Sequence, residues 1–396
     1  MKILWISPNL LHPTNKGGQI RTLEMLRQLH RRHEIHYVAF EGPSNQEGLR
    51  RSAEYASHVD QVKRRASHRY SPAFAGQLAT GLFSPLPVAI GRYRSPELQR
   101  LLERLLRQGA YDSVVCDFLA ATASMPDLGR AVLLQHNVET IIWRRHAEHA
   151  RSPVAGFYLR LQAERMLRYE RDVCRASRRV VAVSPVDAGH MRSLFGISDV
   201  PDVPTGVDMD YFAPPPQVQP VSDMVFLGSM DWLPNIDGVR YFCSEILPLI
   251  RRRLTRCSLT IAGRMPPLEI RALAEKDPFI RVTGTVDDIR PYLWGSAVSV
   301  VPLRIGGGTR LKIYESMAAG VPVVSTSVGA EGLVFKNGSN ILIADEPGAF
   351  AEACIELLQD APRRSALAAA ARDMVASGFS WERVADRFEQ ILLESA

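Results

Sequence analysis

The residues best suited to chemistry form one run, Gly306-Gly307-Gly308-Thr309, followed by Arg310, Lys312 and Glu315. An apolar stretch that reads as a strand, Ala297–Pro302, enters the run, and a helical pattern leaves it from Thr309. Glycines without a Cβ let an anion reach the backbone. The N–H groups of a first helical turn are unpaired, and the helix dipole favours negative charge there, so the run suits a phosphate or diphosphate. Cations in a first turn oppose that dipole, which makes Arg310 and Lys312 sensible beside a bound anion. Glu315 lies six residues past Thr309, near where a ribose joined to the diphosphate would extend, and a carboxylate accepts bonds from paired hydroxyls. No Gly-Lys-Ser/Thr ending is present and no GxGxxG follows the first strand, so kinase and dehydrogenase readings lose support.

Three features of the N-terminal half add to this. Gly17-Gly18 follows a strand and brings backbone N–H groups forward, His136 ends another strand where open α/β sheets place ligands, and Asp117 ends a third as a weaker acceptor-side candidate.

Short β-branched runs alternating with helical periodicity must position these groups. Strands are predicted at Lys2–Ser7, Glu34–Phe40, Val59–Arg64, Ser113–Asp117, Ala131–Asn137 and Arg179–Ser184, with helices at Gln19–Arg32, Gln46–Ser57, Pro96–Arg107 and Ala155–Arg175. The proline-rich Ala213–Pro220 cannot continue a helix or join a central strand, and reads as a linker. Beyond it the rhythm restarts, with strands at Met224–Leu227, Ser258–Ala262, Arg281–Thr285, Ala297–Pro302 and Val321–Thr326 and a long helix at Ile236–Arg252. Parallel strands need crossover connections, so two parallel sheets flanked by helices are expected. The domains expected are 1–208, 209–376, and a final helical segment 377–396 that breaks at Gly378 and returns to the first domain.

At 396 residues the chain exceeds one ordinary core, and its 46% hydrophobic and 23% charged content is that of a globular protein. Five scattered cysteines without CxxC spacing point away from a disulfide scaffold or zinc site and toward a cytoplasmic setting. Residues 1–200 hold 29 Lys+Arg against 18 Asp+Glu, whereas 201–396 hold 19 against 24, so the first half expects an anionic neighbour. Nucleic acid is disfavoured, since no zinc finger, RNP-like aromatic pattern or helix-turn-helix is evident. Hydrolysis is disfavoured too, because no carboxylate pair stands at matching strand ends.

The two α/β halves, Gly17-Gly18, Gln135-His136-Asn137-Val138-Glu139, Ser184, Thr205-Gly206-Val207-Asp208 and GGGTRLKIYESMAAGVPVVST together resemble a glycosyltransferase of the GT-B fold, family 4. The stretch Gly228–Pro234 with the helix after it, and Ile261-Ala-Gly-Arg264, are similar to the subgroup associated with bacterial exopolysaccharide synthesis. The resemblance implies two Rossmann-like doubly wound domains facing across a cleft, with the acceptor held mainly by the first and a nucleotide-sugar donor by the second. It implies transfer with retention of configuration, no metal and no cofactor beyond a UDP- or GDP-linked donor. His136, Arg310 and Lys312 become the expected catalytic groups. Gly17, Gly18, Asn137, Gly228, Arg264, Gly306, Gly307, Gly308, Thr309 and Glu315 become the expected binding groups. The second Glu of the family's E-x7-E motif falls on Glu315, but the first falls on Gly307, and the usual Arg and Lys after the first C-domain strand are missing near Ser229 and Pro234. Arg310, Lys312 and Arg264 then stand in as phosphate cations. The departures also leave open a nucleotide-sugar-binding protein that has lost turnover.

The expected acceptor is a glycan or a lipid-diphosphate-linked one. Lys63–Tyr70, Phe74–Ile90 and Arg92–Arg94 form a basic, apolar, basic series suited to reversible contact with anionic lipid, on the inner face of a plasma membrane. No transmembrane segment is expected, because prolines break the longest uncharged stretch.

Overall fold

In the computed structural model, which describes residues 1–14, 17–42, 45–63, 84–148, 152–219, 221–305 and 311–395, the chain divides into two compact units. One comprises 1–204 with 384–396, the other 205–383.

The first unit is built on a parallel sheet of β1 (Lys2–Ser7), β2 (Glu34–Phe40), β3 (His58–Val62), β4 (Ser113–Asp117), β5 (Ala131–Leu134) and β6 (Arg179–Val181), in the order β3-β2-β1-β4-β5-β6. Strands covered on both faces read as unbroken apolar runs, and Ile3, Leu4, Trp5 and Ile6 of β1 are all buried. The main crossover helices are α1 (Gly17–His30), α2 (Pro96–Gln108), α3 (Glu139–Glu148), α4 (Pro153–Ala176) and α5 (Pro185–Phe195). Their ends carry recognisable signals. Ser95 accepts from Leu98 N ahead of Pro96, Ser184 accepts from Asp187 N ahead of Pro185, and Gly196 closes α5 at φ +63°. Leu98, Leu101, Leu102 and Leu106 form the buried stripe of α2 at helical spacing.

The second unit repeats the design with β7 (Ser222–Leu227), β8 (Leu259–Ala262), β9 (Ile280–Gly284), β10 (Ser296–Val301), β11 (Val323–Ser325) and β12 (Leu342–Ile343), all parallel, in the order β12-β11-β10-β7-β8-β9. The helices that matter here are α6 (Leu233–Tyr241), α7 (Leu311–Ala318), α8 (Pro347–Gln359), α9 (Ala361–Gly378) and α10 (Trp381–Ser395). In both sheets the strand order reverses beside the first strand, between β1 and β4 and between β7 and β10. Doubly wound sheets open a crevice at the carboxyl ends of such strands.

Several expectations shift. The first unit ends at Pro204 rather than 208, because Val207 and Phe212 already bury in the second core and Val207 N donates to Phe379 O at 2.8 Å. The proline stretch therefore lies within the second unit. The helix expected at Ile236–Arg252 is interrupted by a π turn at Phe242–Ile246, since Pro248 lacks the N–H that an α-helix needs there. The helix expected at Gln46–Ser57 is a short helix, Asn45–Arg50, and a 3-10 turn, Ser52–Glu54. Within α10 the division falls after Arg383: Phe388 is buried edge-on against Trp5 at 5.7 Å, and Glu389 meets Arg32 and His33. Of the basic and apolar series near 63–94, residues 64–83 lie outside the described residues. At its described end Ile90 is buried and Tyr93 packs against the same core. No helix among the described residues is long and apolar enough to cross a membrane.

Candidate functional site

At the reversal point of the first sheet the end of β4 delivers Asp117, fully buried, whose Oδ2 accepts from Ser7 Oγ at 3.1 Å and Thr22 Oγ1 at 3.0 Å. Its Oδ1 lies 2.6 Å from His136 Nε2. A carboxylate that already takes two hydroxyl donors takes the imidazole N–H as a third, so Nε2 carries the proton and Nδ1 keeps its lone pair. Burial pushes the His136 pKa below its ordinary value, Asp117 opposes that, and Arg21 adds to it. The ring is therefore neutral at physiological pH. Asp117 is enclosed by these donors and supports His136 rather than meeting an acceptor, which corrects its reading as an acceptor-side group.

The His136 ring stacks on Phe118, with centroids 3.7 Å apart and planes within 8°. Phe118 adopts φ +71°, a conformation that costs a non-glycine residue roughly 1–3 kcal/mol and persists only where surroundings enforce it. Gly18 makes room: a Cβ there would sit 2.7 Å from Phe118 Cζ. The glycine at this position thus serves the Phe118–His136 stack. Arg21, one turn along α1, is buried; its Nη2 donates to Val203 O at 2.5 Å while Nε and Nη1 have no hydrogen-bond partner among the described residues. Burial lowers its pKa to about 10, against the pull of Asp117 and Asp187.

His136 and Asn137 are held at the start of α3 by Glu170 of α4. This buried carboxylate accepts from Glu139 N at 2.9 Å, Thr140 N at 2.8 Å, Thr140 Oγ1 at 2.5 Å and Gln135 Nε2 at 3.3 Å. Burial raises the Glu170 pKa and those four donors lower it. Glu139 beside it is pushed up to about 7 by burial and by the Glu170 charge.

In the second unit Gly228 follows β7 and Gly263 follows β8. A Cβ on Gly263 would lie 1.8 Å from Gly228 O, and one on Gly228 would lie 2.7 Å from Asn235 Cγ, so the two turns touch backbone to backbone. Asn235, buried in α6, donates to Ser229 O at 2.7 Å and accepts from Lys312 Nζ at 2.8 Å. Lys312 also lies 4.6 Å above the Phe226 ring. Glu315, one turn beyond Lys312 on α7, is partly buried and accepts no hydrogen bond from a described residue. Burial pushes its pKa up to about 7, with Lys312 pulling the other way. Arg264 is not an open cation: it donates to Ser229 Oγ at 2.6 Å and to Asp231 Oδ2 at 3.0 Å, so its charge is already balanced. Gly306, Gly307, Gly308, Thr309 and Arg310 lie outside the described residues. Among the described residues no group of three or more His, Cys, Asp or Glu is arranged to hold a metal.

Phe118, Thr22, Arg21, Glu170 and Asn235 escaped the sequence reading. A signal existed for Arg21, a charged residue on the same helical stripe as Met25 and Leu29, and for Asn235, directly after Pro234 at a helix start. Phe118 carried none.

Residues 15–211 match the model of "Glycosyltransferase Family 4" and residues 222–360 that of "Glycosyl transferases group 1". A GDP-mannose-dependent alpha-(1-6)-phosphatidylinositol monomannoside mannosyltransferase of Mycobacterium tuberculosis is 28% identical over 234 residues, which is 54% of this chain and 61% of that protein. An uncharacterized 44.6 kDa protein in the cps region of Klebsiella pneumoniae is 24% identical over 33% of this chain and 35% of its own. Among solved structures, sucrose-phosphate synthase from Thermosynechococcus elongatus superposes with a TM-score of 0.70 at 15% identity, over 100% of this chain and 99% of its own. Anabaena HepE in complex with UDP and glucose gives 0.65 at 13% identity over 99% of each chain. At such identities the structures speak for the fold, which is GT-B.

Proposed function

The chain belongs to the group 1, family 4 glycosyltransferases, and we propose that it transfers a sugar from a nucleoside diphosphate sugar to a glycan or lipid-linked acceptor in bacterial cell-surface polysaccharide synthesis. The observation that carries the donor reading is Glu315, a partly buried carboxylate pushed up to about 7 with no described hydrogen-bond donor, on the helix α7 that follows β10, one of the two strands between which the order of the second sheet reverses. A group that costs the apo protein free energy is accounted for by a ligand that supplies donors, and the paired hydroxyls of a ribose are such donors. Lys312, fixed by Asn235, supplies positive charge one turn away for the diphosphate.

As the glycosidic bond breaks, negative charge grows on the departing diphosphate, and a cation and N–H groups already in place stabilise it without reorganisation. His136, with its proton committed to Asp117, presents Nδ1 as an acceptor for a hydroxyl of the transferring sugar or of the acceptor. We assign it no nucleophilic role. The proposal includes retention of configuration by same-face attack, independence of metal, and a UDP or GDP donor. The mycobacterial relative's GDP-mannose and the UDP bound by the Anabaena structure support those two bases.

The test is the melting temperature with UDP, GDP, ADP and CMP, with and without chelator, followed by nucleoside diphosphate release from the matching sugar donors. Ligand at about 100 times its dissociation constant adds roughly 2.7 kcal/mol to the folded state. One nucleotide raising the melting point in chelator, with acceptor-dependent release, supports the proposal. Binding without release assigns a sugar-nucleotide-binding protein instead, in keeping with Gly307 at the first motif Glu. The anomeric configuration of the product, read by NMR, decides retention.

A further inference from the structure

The second unit contains a cavity away from the groups described so far. It measures about 410 Å³, within the roughly 300–1,000 Å³ of small-molecule sites, and its apolar wall is formed by Cys243, Leu247, Leu273 and Ile280. Ile280 opens β9, the edge strand of the second sheet, and Leu273 belongs to the helix Leu268–Lys276 that leads into it. The cavity therefore sits at the amino end of the strands, opposite the end at which a doubly wound sheet opens its crevice. Cys243 lies eight residues beyond Asn235 along the same helical run, about 12 Å at 1.5 Å per residue. It stands in the π turn that interrupts this run, and such turns recur at functional sites. Burial pushes its thiol up to about 12, so the group is a neutral, apolar part of the wall and no nucleophile.

Charge at the rim is one-sided. Arg251 is fully engaged: it pairs with Asp277, and its Nε and Nη2 donate to Cys257 O at 3.1 and 3.0 Å. Beside that neutral pair stands the ammonium of Lys276, exposed and without an ion pair among the described residues. An apolar wall with one uncompensated cation at its mouth is complementary to a molecule with an apolar body and one anionic head. We propose that this cavity binds an amphiphilic monoanion, its body against Leu247, Leu273 and Ile280 and its carboxylate or sulfonate on Lys276. A wholly apolar molecule would leave the ammonium unused, and a bare phosphate would leave the wall unused. The ligand is distinct from the nucleotide sugar, whose candidate groups Lys312 and Glu315 lie on the helix that follows the carboxyl end of β10.

The test titrates the full chain with anilinonaphthalene sulfonate, a dye with an aromatic body and one sulfonate that brightens in apolar surroundings. One saturable site per chain is expected, and octanoate is expected to displace the dye about threefold or more better than neutral octanol. Leu273→Asp places a carboxylate on the wall and is expected to weaken dye binding about tenfold or more. Lys276→Gln removes the charge at an exposed position and is expected to weaken it about threefold or more, at an unchanged melting temperature. Leu268→Ser, at a site 83% exposed on the same helix, is expected to change nothing. UDP and GDP are expected to leave the dye in place.

Absence of a saturable site overturns the proposal, and so does undiminished binding by both cavity variants or an equal loss in Leu268→Ser. Where Leu273→Asp proves poorly folded by its melting temperature, Lys276→Gln decides alone. Equal displacement by octanol and octanoate would overturn the choice of an anion. Displacement of the dye by UDP or GDP would assign it to the donor site and overturn the cavity. None of these readings depends on turnover, so failure of sugar transfer and failure of this site are separate results.

Discussion

Replacing Glu315 by Gln should make the apo protein more stable and its ligand response weaker, with a pH dependence that identifies the cause. In the unfolded chain this carboxyl ionises near 4.5, and in the folded protein near 7, because burial disfavours its charge. Below pH 4.5 both states are protonated and the cost is small. As pH rises toward 7 the unfolded state sheds its proton while the folded state holds it, so stability falls, and above 7 the full penalty remains. The gap between 4.5 and 7, at about 1.4 kcal/mol per pH unit, comes to roughly 3 kcal/mol. Water still reaches part of the residue, so we take about 2 kcal/mol as the expected gain for Glu315→Gln at pH 8. For a unit of this size that is roughly 4–8 °C in melting temperature, shrinking to near zero at pH 4.5. Glu139 contributes to the wild-type pH profile with the same sign, so the difference between wild type and variant is the quantity to read. The assay is thermal melting of both proteins at several pH values, with and without the nucleotide found to bind. An unchanged or lowered melting point at pH 8, or a gain equal at pH 4.5 and 8, would refute the desolvated carboxylate. Undiminished nucleotide stabilisation in the variant would refute its role in binding.

Three further outcomes follow from the first unit. Gly18→Ala places a Cβ 2.7 Å from Phe118 Cζ, which should cost about 1–3 kcal/mol by calorimetry and depress turnover more than stability, because the ring that moves supports His136. Glu170→Ala leaves Glu139 N, Thr140 N and Thr140 Oγ1 without their acceptor in a buried site and should cost about 3 kcal/mol or more, with Glu170→Gln losing less; a melting point within a degree of wild type would count against that account. Because burial holds the His136 pKa below 6.5, turnover at saturating donor in a Glu315→Gln background, which removes the carboxyl that titrates near 7, should stay level from about pH 8 down to 6.5 and fall only beneath it. A midpoint above 6.5 would show a protonated imidazole in the resting enzyme.

The two doubly wound sheets were legible because parallel strands buried on both faces must be written as apolar runs, and crossover helices as 3.6-period stripes. Ile3–Ile6, Val298–Val301 and the leucines of α2 carry that pattern locally. Glu315, Lys312, His136 and Gly18 stood out for a similar reason: each is a polar or Cβ-less residue at the end of a strand or the start of a helix, where sequence neighbours alone suggest a ligand. The boundary at Pro204 was not legible, since prolines at 213–220 mark where a helix cannot run, whereas a boundary depends on which core Val207 and Phe212 bury in.

What only the tertiary structure decided is which of these groups meet. Asp117 and His136 are 19 residues apart, Thr22 and Asp117 are 95 apart, and Lys312 and Asn235 are 77 apart; each pair is joined by the packing of separate crossovers at one end of a sheet. Arg264 looks like a phosphate cation in sequence and is paired with Asp231 in space, and Gly18, which reads as an anion loop in sequence, also leaves in space the gap that a phenylalanine fills. Residue type and local spacing are inherited from the chain. Desolvation, charge pairing and steric room are properties of a residue's three-dimensional neighbours, and they come into being only when distant segments pack.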